Sequence, residues 1–258
     1  IITDNGLQKG VIGITSRHLL SDADMKKKIN YKQMWIDVGA SSKGVVENMG
    51  IDIGCGICYT TPFTELAEGT LLSKALDNRI GCAVIAEVLR DIPSGIGVHI
   101  IGTVQEEVGA RGAAVAAYDI EPDLAIVLDT VPAQDPVIDS ERQTVKLNYG
   151  PVIRYFDLHE TLRGAISNKE IFERLKMVAK KNSIPNQPDA LYGTFLDSTT
   201  LQSTGRGIPL GSICFPRKYS HSPTEMASIN DAYNAVKLLK EFIKSIAVDR
   251  IVFGRKIK

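Results

Sequence analysis

The chain has 258 residues, 44% of them apolar and 23% charged, and its thirty basic side chains balance thirty acidic ones. That composition belongs to an ordinary folded protein, long enough for one large domain or a domain with a smaller companion. Charge neutrality argues against a general nucleic-acid binder, no apolar run reaches the roughly 18 residues that cross a bilayer, and four scattered cysteines make no disulfide scaffold, so a cytoplasmic compartment is expected.

The chain opens on IITDNG without an apolar leader, and Asp4-Asn5-Gly6 is a hairpin signal, so it reads as starting partway through a β-structure. Residues 1–72 form a predicted small β-rich unit, with strands at VIGIT, MWIDVGA and IDIGCGICYT and a polar connection at SDADMKKKINYKQ. From Ser73 the pattern changes. Ile80, Val84 and Val88 recur at helical spacing in a predicted helix over 78–91, and GVHIIGTVQ (97–105) follows as an apolar run expected to be a strand covered on both faces. GARGAAVAAY is a short helix of small residues, DLAIVLDT another buried strand and VKLNYGPVIRYFD a β segment. Ser167 to Glu170 reads as a capping box opening a helix to about Lys181. GIPLGSICFP is a further strand, and a last helix begins at Ser228 with Ala232, Val236, Leu239 and Ile243 on one stripe. Alternating strands and helices over 73–258 predict an α/β domain with a largely parallel sheet.

In such sheets the site lies beyond the carboxyl ends of the strands. Glu106 and Glu107 follow GVHIIGTVQ, Asp129 follows DLAIVL, His221 follows GSICFP, and Asp77 stands at the mouth of the first buried helix. Each alone has a plain reading as a cap or a solvated turn. Together they would crowd negative charge at one edge, which bound cations stabilise, and carboxylate with imidazole suits zinc, cobalt or manganese. A carboxylate left free beside such ions can act as a general base, a role for one of the two adjacent glutamates.

The stretches KALDNRIGCAVIAEVL, TVQEEVGARGA, DLAIVLDT and PRKYSHSPTEMAS resemble the M42 family of metallo-aminopeptidases, of the glutamyl or tetrahedral type. GVIGITSRHL and WIDVGASSK are similar to that family's inserted PDZ-like domain. The resemblance implies a three-layer αβα zinc-peptidase-like catalytic domain over 73–258 and a partial dimerisation-type domain over 1–72. It implies two divalent ions per subunit, zinc or cobalt with manganese as a further option. Asp77 would bridge them, Asp129 would ligate the first, Glu107 and His221 the second, and Glu106 would be the general base that activates a water held between them. The implied reaction is hydrolysis of the N-terminal peptide bond of peptides with a free amino terminus. The implied assembly is a homo-oligomer, from a dimer up to a dodecamer, with neither nucleic acid nor membrane as partner. The family's further ligand, in an upstream His-x-Asp motif, has no counterpart from Ile1 onward, and His18 in SRHLLSD does not fit it. The first ion would then keep only carboxylates, a weakened site. Where the family has Gly-Thr-Asp-Ala this chain reads YGTFLDSTT, and Asp197 is left without a role, as is His159.

Two other functions compete. Paired carboxylates also serve glycoside hydrolysis, but that chemistry favours aromatic sugar platforms and this chain is 6% aromatic with a single Trp35. A non-catalytic assembly subunit with an incomplete metal site is the third. Cys55 and Cys58 form a lone C-x-x-C, expected to pack within a β segment rather than bind zinc, and His99 is expected to be a hydrogen-bonded core residue. Gly109 and Gly112 are expected to allow close backbone packing behind the glutamates.

Overall fold

The computed structural model describes residues 1–135, 144–159 and 164–253. The chain divides into two compact units, Ile1–Thr60 and Thr61–Lys258.

In the first unit, β1 (Ile2–Thr3) and β2 (Gly6–Leu7) pair across the expected hairpin turn. β3 (Val11–Gly13) pairs antiparallel with β4 (Trp35–Asp37), and the polar connection between them carries α1 (Asp22–Met25). α2 (Lys43–Asn48) is capped by Ser42. None of the residues of this unit is fully buried. The strand expected over IDIGCGICYT does not form. A turn closes from Asp52 to Cys55 with Gly54 at φ +101°, Cys58 is exposed, and neither cysteine lies in a strand. A left-handed glycine inside an apolar run breaks the extended path that periodicity suggests.

The second unit is built on one eight-stranded sheet. Its elements, in chain order, are β5 (Thr64–Glu65), β6 (Thr70–Ser73), α3 (Leu76–Val88), α4 (Arg111–Ile120), β7 (Ala125–Pro132), β8 (Val152–Leu158), β9 (Gly164–Ile166), α5 (Lys169–Lys181), β10 (Gln187–Tyr192), α6 (Ser198–Leu201), β11 (Leu210–Lys218), β12 (Glu225–Ser228) and α7 (Ile229–Val248). β11 is the centre: it pairs with β7 along one edge and with β8 and then β12 along the other. Alternate residues of β11 enter two cores. Ile213 and Phe215 pack with α3, α5 and α7, whereas Leu210 and Cys214 pack with α4 and α6, so helices cover both faces. Side chains as deeply buried as Phe215, Phe242 and Leu238 contribute about 1.5–3 kcal/mol each to that packing.

The expectation of a largely parallel sheet is corrected. Only β7–β11 and β8–β10 run parallel, while β5–β6, β6–β12, β8–β9, β8–β11 and β11–β12 are antiparallel. Short returns such as the one between β11 and β12 can join only antiparallel neighbours, and helix–strand alternation in sequence does not reveal them. The strand expected over 97–105 is a second correction. No strand among the described residues pairs with it, Val98 packs on the core from one side, and His99 is exposed rather than a core residue. The helix at Lys169 is capped by Asn168, whose Oδ1 accepts from Glu170 and Ile171 N–H. The Ser167 hydroxyl instead donates to the Arg154 carbonyl at 2.7 Å, so the cap sits one residue later than the capping-box reading.

Beneath β8 lies a buried ionic group. The Arg154 side chain, wholly buried, reaches Asp189 at 3.1 Å and the Thr194 hydroxyl at 3.1 Å. Asp157 shares this environment. Burial pushes its carboxyl up to about 6, against the opposing charge of Arg154 and a hydrogen bond from Ser198. Its ionised form therefore opposes folding. Below about pH 4 the group is protonated in both folded and unfolded states; stability falls as pH rises from about 4 to about 6 and stays reduced above. Asp157→Asn is expected to gain stability relative to the parent across that window, by on the order of 2 kcal/mol at pH 8. Urea melts at pH 4 and pH 8 check this; an equal difference at both would refute it.

Candidate metal centre

Asp77 lies between β6 and the regular part of α3, with extended dihedrals (φ −80°, ψ 107°) and a cis bond to Asn78. The cap of this helix is Asn78, not Asp77. Its Oδ1 accepts from Gly81 N–H at 3.0 Å, and its amide donates to the Leu128 carbonyl of β7 at 2.7 Å. Asn78 thus satisfies the helix end and ties it to the sheet. Asp77 is left one residue outside the helix, its side chain free for other partners.

Glu106 and Glu107 sit on a loop that closes on itself. Gly112 N–H donates to the Val104 carbonyl at 3.0 Å, and the N–H groups of Gly109 and Ala110 donate to the Glu106 carbonyl, each at 2.9 Å. A Cβ on Gly112 would stand 2.6 Å from the Val104 backbone nitrogen and oxygen, so the closure requires glycine there. That is the close packing expected of Gly112; at Gly109 a Cβ would meet nothing within 4 Å, and what glycine supplies there is the backbone angle, φ +124°.

His221 lies in the turn between β11 and β12. β12 pairs with β6 so that Glu225 stands opposite Ser73, next to the Asp77 turn. His221 Nε2 comes within 3.4 Å of Asp77 Oδ2 and 3.7 Å of Glu107 Oε2. Ligand atoms of Asp77, Glu107 and His221 all lie within 4.8 Å of one another. Asp77 is mostly buried, whereas the side chains of Glu107 and His221 are 62% and 67% exposed. The cluster therefore opens to solvent on one side.

Asp129 is not one of that trio. It lies within β7, opposite Cys214, rather than at the strand's end as its sequence suggested, because the ladder runs on to Pro132. It is buried, with Oδ1 accepting from Thr130 N–H at 2.7 Å. Burial, and then the charge of Asp77, hold its carboxyl well above the usual range, with Glu106 and Asp197 adding to the effect. Glu106 is pushed up to about 7, first by burial and then by the charges of Asp197, Glu107 and Asp77. Asp197, to which the sequence assigned nothing, is buried; its Oδ2 accepts from the Thr103 hydroxyl at 2.6 Å and its Oδ1 has no hydrogen-bond partner among the described residues.

Two residues of the cluster escaped the sequence reading. The Arg217 guanidinium lies 3.0 Å from Asp77 Oδ2 and also donates to Glu225, and both Arg217 and Glu225 are buried. The available signal was a question of charge: acids gathered in an apolar setting need a cation, and Arg217 stands four residues before His221. Even with it, Asp77, Glu106, Glu107, Asp129, Asp197 and Glu225 face a single guanidinium among the groups named here. His18 and His99 are exposed and lie outside the trio.

A model of the M42 glutamyl aminopeptidase family matches residues 1–238. The chain belongs to the M42 family. A lysyl aminopeptidase of Pyrococcus furiosus is 32% identical over 247 residues, covering 95% of this chain and 69% of its own. Among solved structures, aminopeptidase APDkam598 from the archaeon Desulfurococcus kamchatkensis superposes with a TM-score of 0.90 at 35% identity, over 99% of this chain and 71% of that one. The TET1 peptidase of Pyrococcus horikoshii, described as assembling into a tetrahedron or a large octahedral shell, superposes with a TM-score of 0.78 at 29% identity, over 94% of this chain and 70% of that one. The M42 chain described here thus spans about 70% of the length of these relatives. The two solved structures share its mixed α/β fold, and all three relatives are named as peptidases. No helix among the described residues is long and apolar enough to cross a membrane.

Proposed function

We propose that this protein is a metal-dependent aminopeptidase that cleaves the first bond of peptides with a free amino terminus. The observation that carries the reading is the meeting of Asp77, Glu107 and His221, from three distant segments, within 4.8 Å. The donor set fits a pair of divalent ions. It offers hard carboxylate oxygens and one imidazole, its acids outnumber its cations, and the buried Asp197 Oδ1 lacks a hydrogen-bond partner among the described residues. Asp77 would bridge the pair, Glu107 and His221 would complete one site, and Asp129 would belong to the other. Bound there, the ions would polarise the scissile carbonyl and make a water more acidic.

Glu106 does the proton work. It neighbours a ligand without belonging to the trio, and a partly buried carboxylate left free beside such ions can take a proton and return it. It removes a proton from the attacking water and delivers it to the departing amine. Arg217 holds one oxygen of Asp77 in place while offsetting part of the acidic charge. The first unit, read as a PDZ-like inserted domain, joins subunits into homo-oligomers. Its exposed Val11, Leu19 and Trp35 support that role, as does the assembly described for the TET1 peptidase.

Dialysis against EDTA is expected to abolish release of N-terminal residues from an unblocked peptide. Zinc or cobalt should restore it, and an N-acetylated peptide should remain uncut throughout. Hydrolysis indifferent to EDTA would overturn the reading, and chelator-insensitive cleavage of a polysaccharide would replace it with the carboxylate-pair alternative.

A further inference from the structure

We propose that Glu225 is a positioning residue that keeps Asp77 and His221 in register by holding the main chain of both. The inference rests on the reading of these two side chains as metal ligands.

Glu225 Oε2 accepts the backbone N–H of Asp77 at 3.1 Å, and Oε1 accepts the backbone N–H of His221 at 3.1 Å. Arg217 donates to Oε1 as well, and the same guanidinium reaches Asp77 Oδ2 at 3.0 Å. One carboxylate thus links a turn before α3 to the turn between β11 and β12. The residue is only 2% exposed. With both oxygens engaged by the protein and none facing solvent, Glu225 is not itself a ligand. The antiparallel pairing of Glu225 with Ser73 fixes where this carboxylate begins, and its two oxygens fix where the ligand backbones end.

Only a carboxylate of this length meets the demand. All its partners are donors, so acceptors are needed on both sides. A glutamine must turn its amide N–H toward either Asp77 N–H or the pair formed by His221 N–H and Arg217, leaving a buried donor unsatisfied. An aspartate keeps the charge beside Arg217 but is one methylene too short to reach both amides. Either change should loosen the spacing of the two ligands. Partners that orient metal ligands typically matter by 10–100-fold in affinity.

The test is calorimetric titration of the metal-stripped protein with zinc, supported by the visible absorption of its cobalt form and by melting of the metal-free protein. Glu225→Gln is expected to bind zinc about 10–100-fold more weakly and to show an altered cobalt spectrum. Zinc affinity and a cobalt spectrum equal to the parent's would overturn the inference. Should Glu225→Gln fail to fold, Glu225→Asp supplies the same comparison with the charge balance kept. The parent titration separates the two claims. A parent that binds no zinc or cobalt removes the metal reading itself, whereas a parent that binds and variants that bind equally well remove only the role of Glu225.

Discussion

Glu106→Gln is expected to lower peptide hydrolysis by about 10²–10⁴-fold while leaving zinc binding and the melting temperature close to those of the parent. Glutamine keeps the volume and the hydrogen-bonding reach of the side chain but cannot accept and return a proton. Glu106 is not part of the Asp77, Glu107 and His221 trio, so ligation should survive. In the metal-free protein, burial and then the charges of Asp197, Glu107 and Asp77 disfavour its ionised form, so the neutral amide should fit there without loss of stability. The adjacent Glu107→Gln should behave in the opposite order, losing metal first and activity as a consequence. Kinetics on an unblocked dipeptide, with zinc titrations of both variants, check this. A Glu106→Gln protein with full activity would remove the assigned base, and one that lost its zinc would mean the two glutamates had been assigned in reverse.

Arg217→Met should produce the largest loss of stability. The guanidinium is buried between Asp77 and Glu225, and removing it leaves Glu225, 2% exposed, without the one cation paired with it among the described residues. Breaking a buried pair by deleting one partner costs about 3–5 kcal/mol, because the remaining charge has neither water nor a counter-ion. For a unit of this size that corresponds to a melting temperature lower by roughly 6–20 °C. The double variant Arg217→Met/Glu225→Leu should recover only part of the loss, since it removes the stranded Glu225 charge but leaves Asp77 without the guanidinium and the Asp77 and His221 N–H groups without their acceptor. Thermal melts of the single and double variants in metal-free buffer decide the matter. A single variant melting within about 2 °C of the parent would show that the pair is solvated or that Glu225 takes up a proton at little cost.

The helices were legible because their signals are local. The stripe through Ile80, Val84 and Val88 and the cap at Ser228 depend on residues a turn apart, and both appear in α3 and α7 as expected. The strands at Ala125–Pro132 and Leu210–Lys218 were legible for a related reason, since runs so continuously apolar must be covered on both faces. The run over 97–105 carries the same signal and fails it: an apolar strand also needs a neighbour with free backbone groups, and none pairs with it among the described residues. Strand direction was not legible at all, because pairing partners such as β6 and β12 are far apart in sequence.

The site divides the same way. The sequence alone determined which side chains are available for such chemistry: acids and an imidazole, in stretches that resemble the M42 family. Residue type and spacing are properties of the chain itself. Tertiary structure decided which of them meet, joining Asp77, Glu107 and His221 while setting Asp129 inside a strand. It also decided what holds them, the buried Arg217 and Glu225, which in sequence are two ordinary charged residues. The reason is physical. The cost of burying a charge, and the benefit of pairing it, exist only once folding has removed water and brought distant segments together.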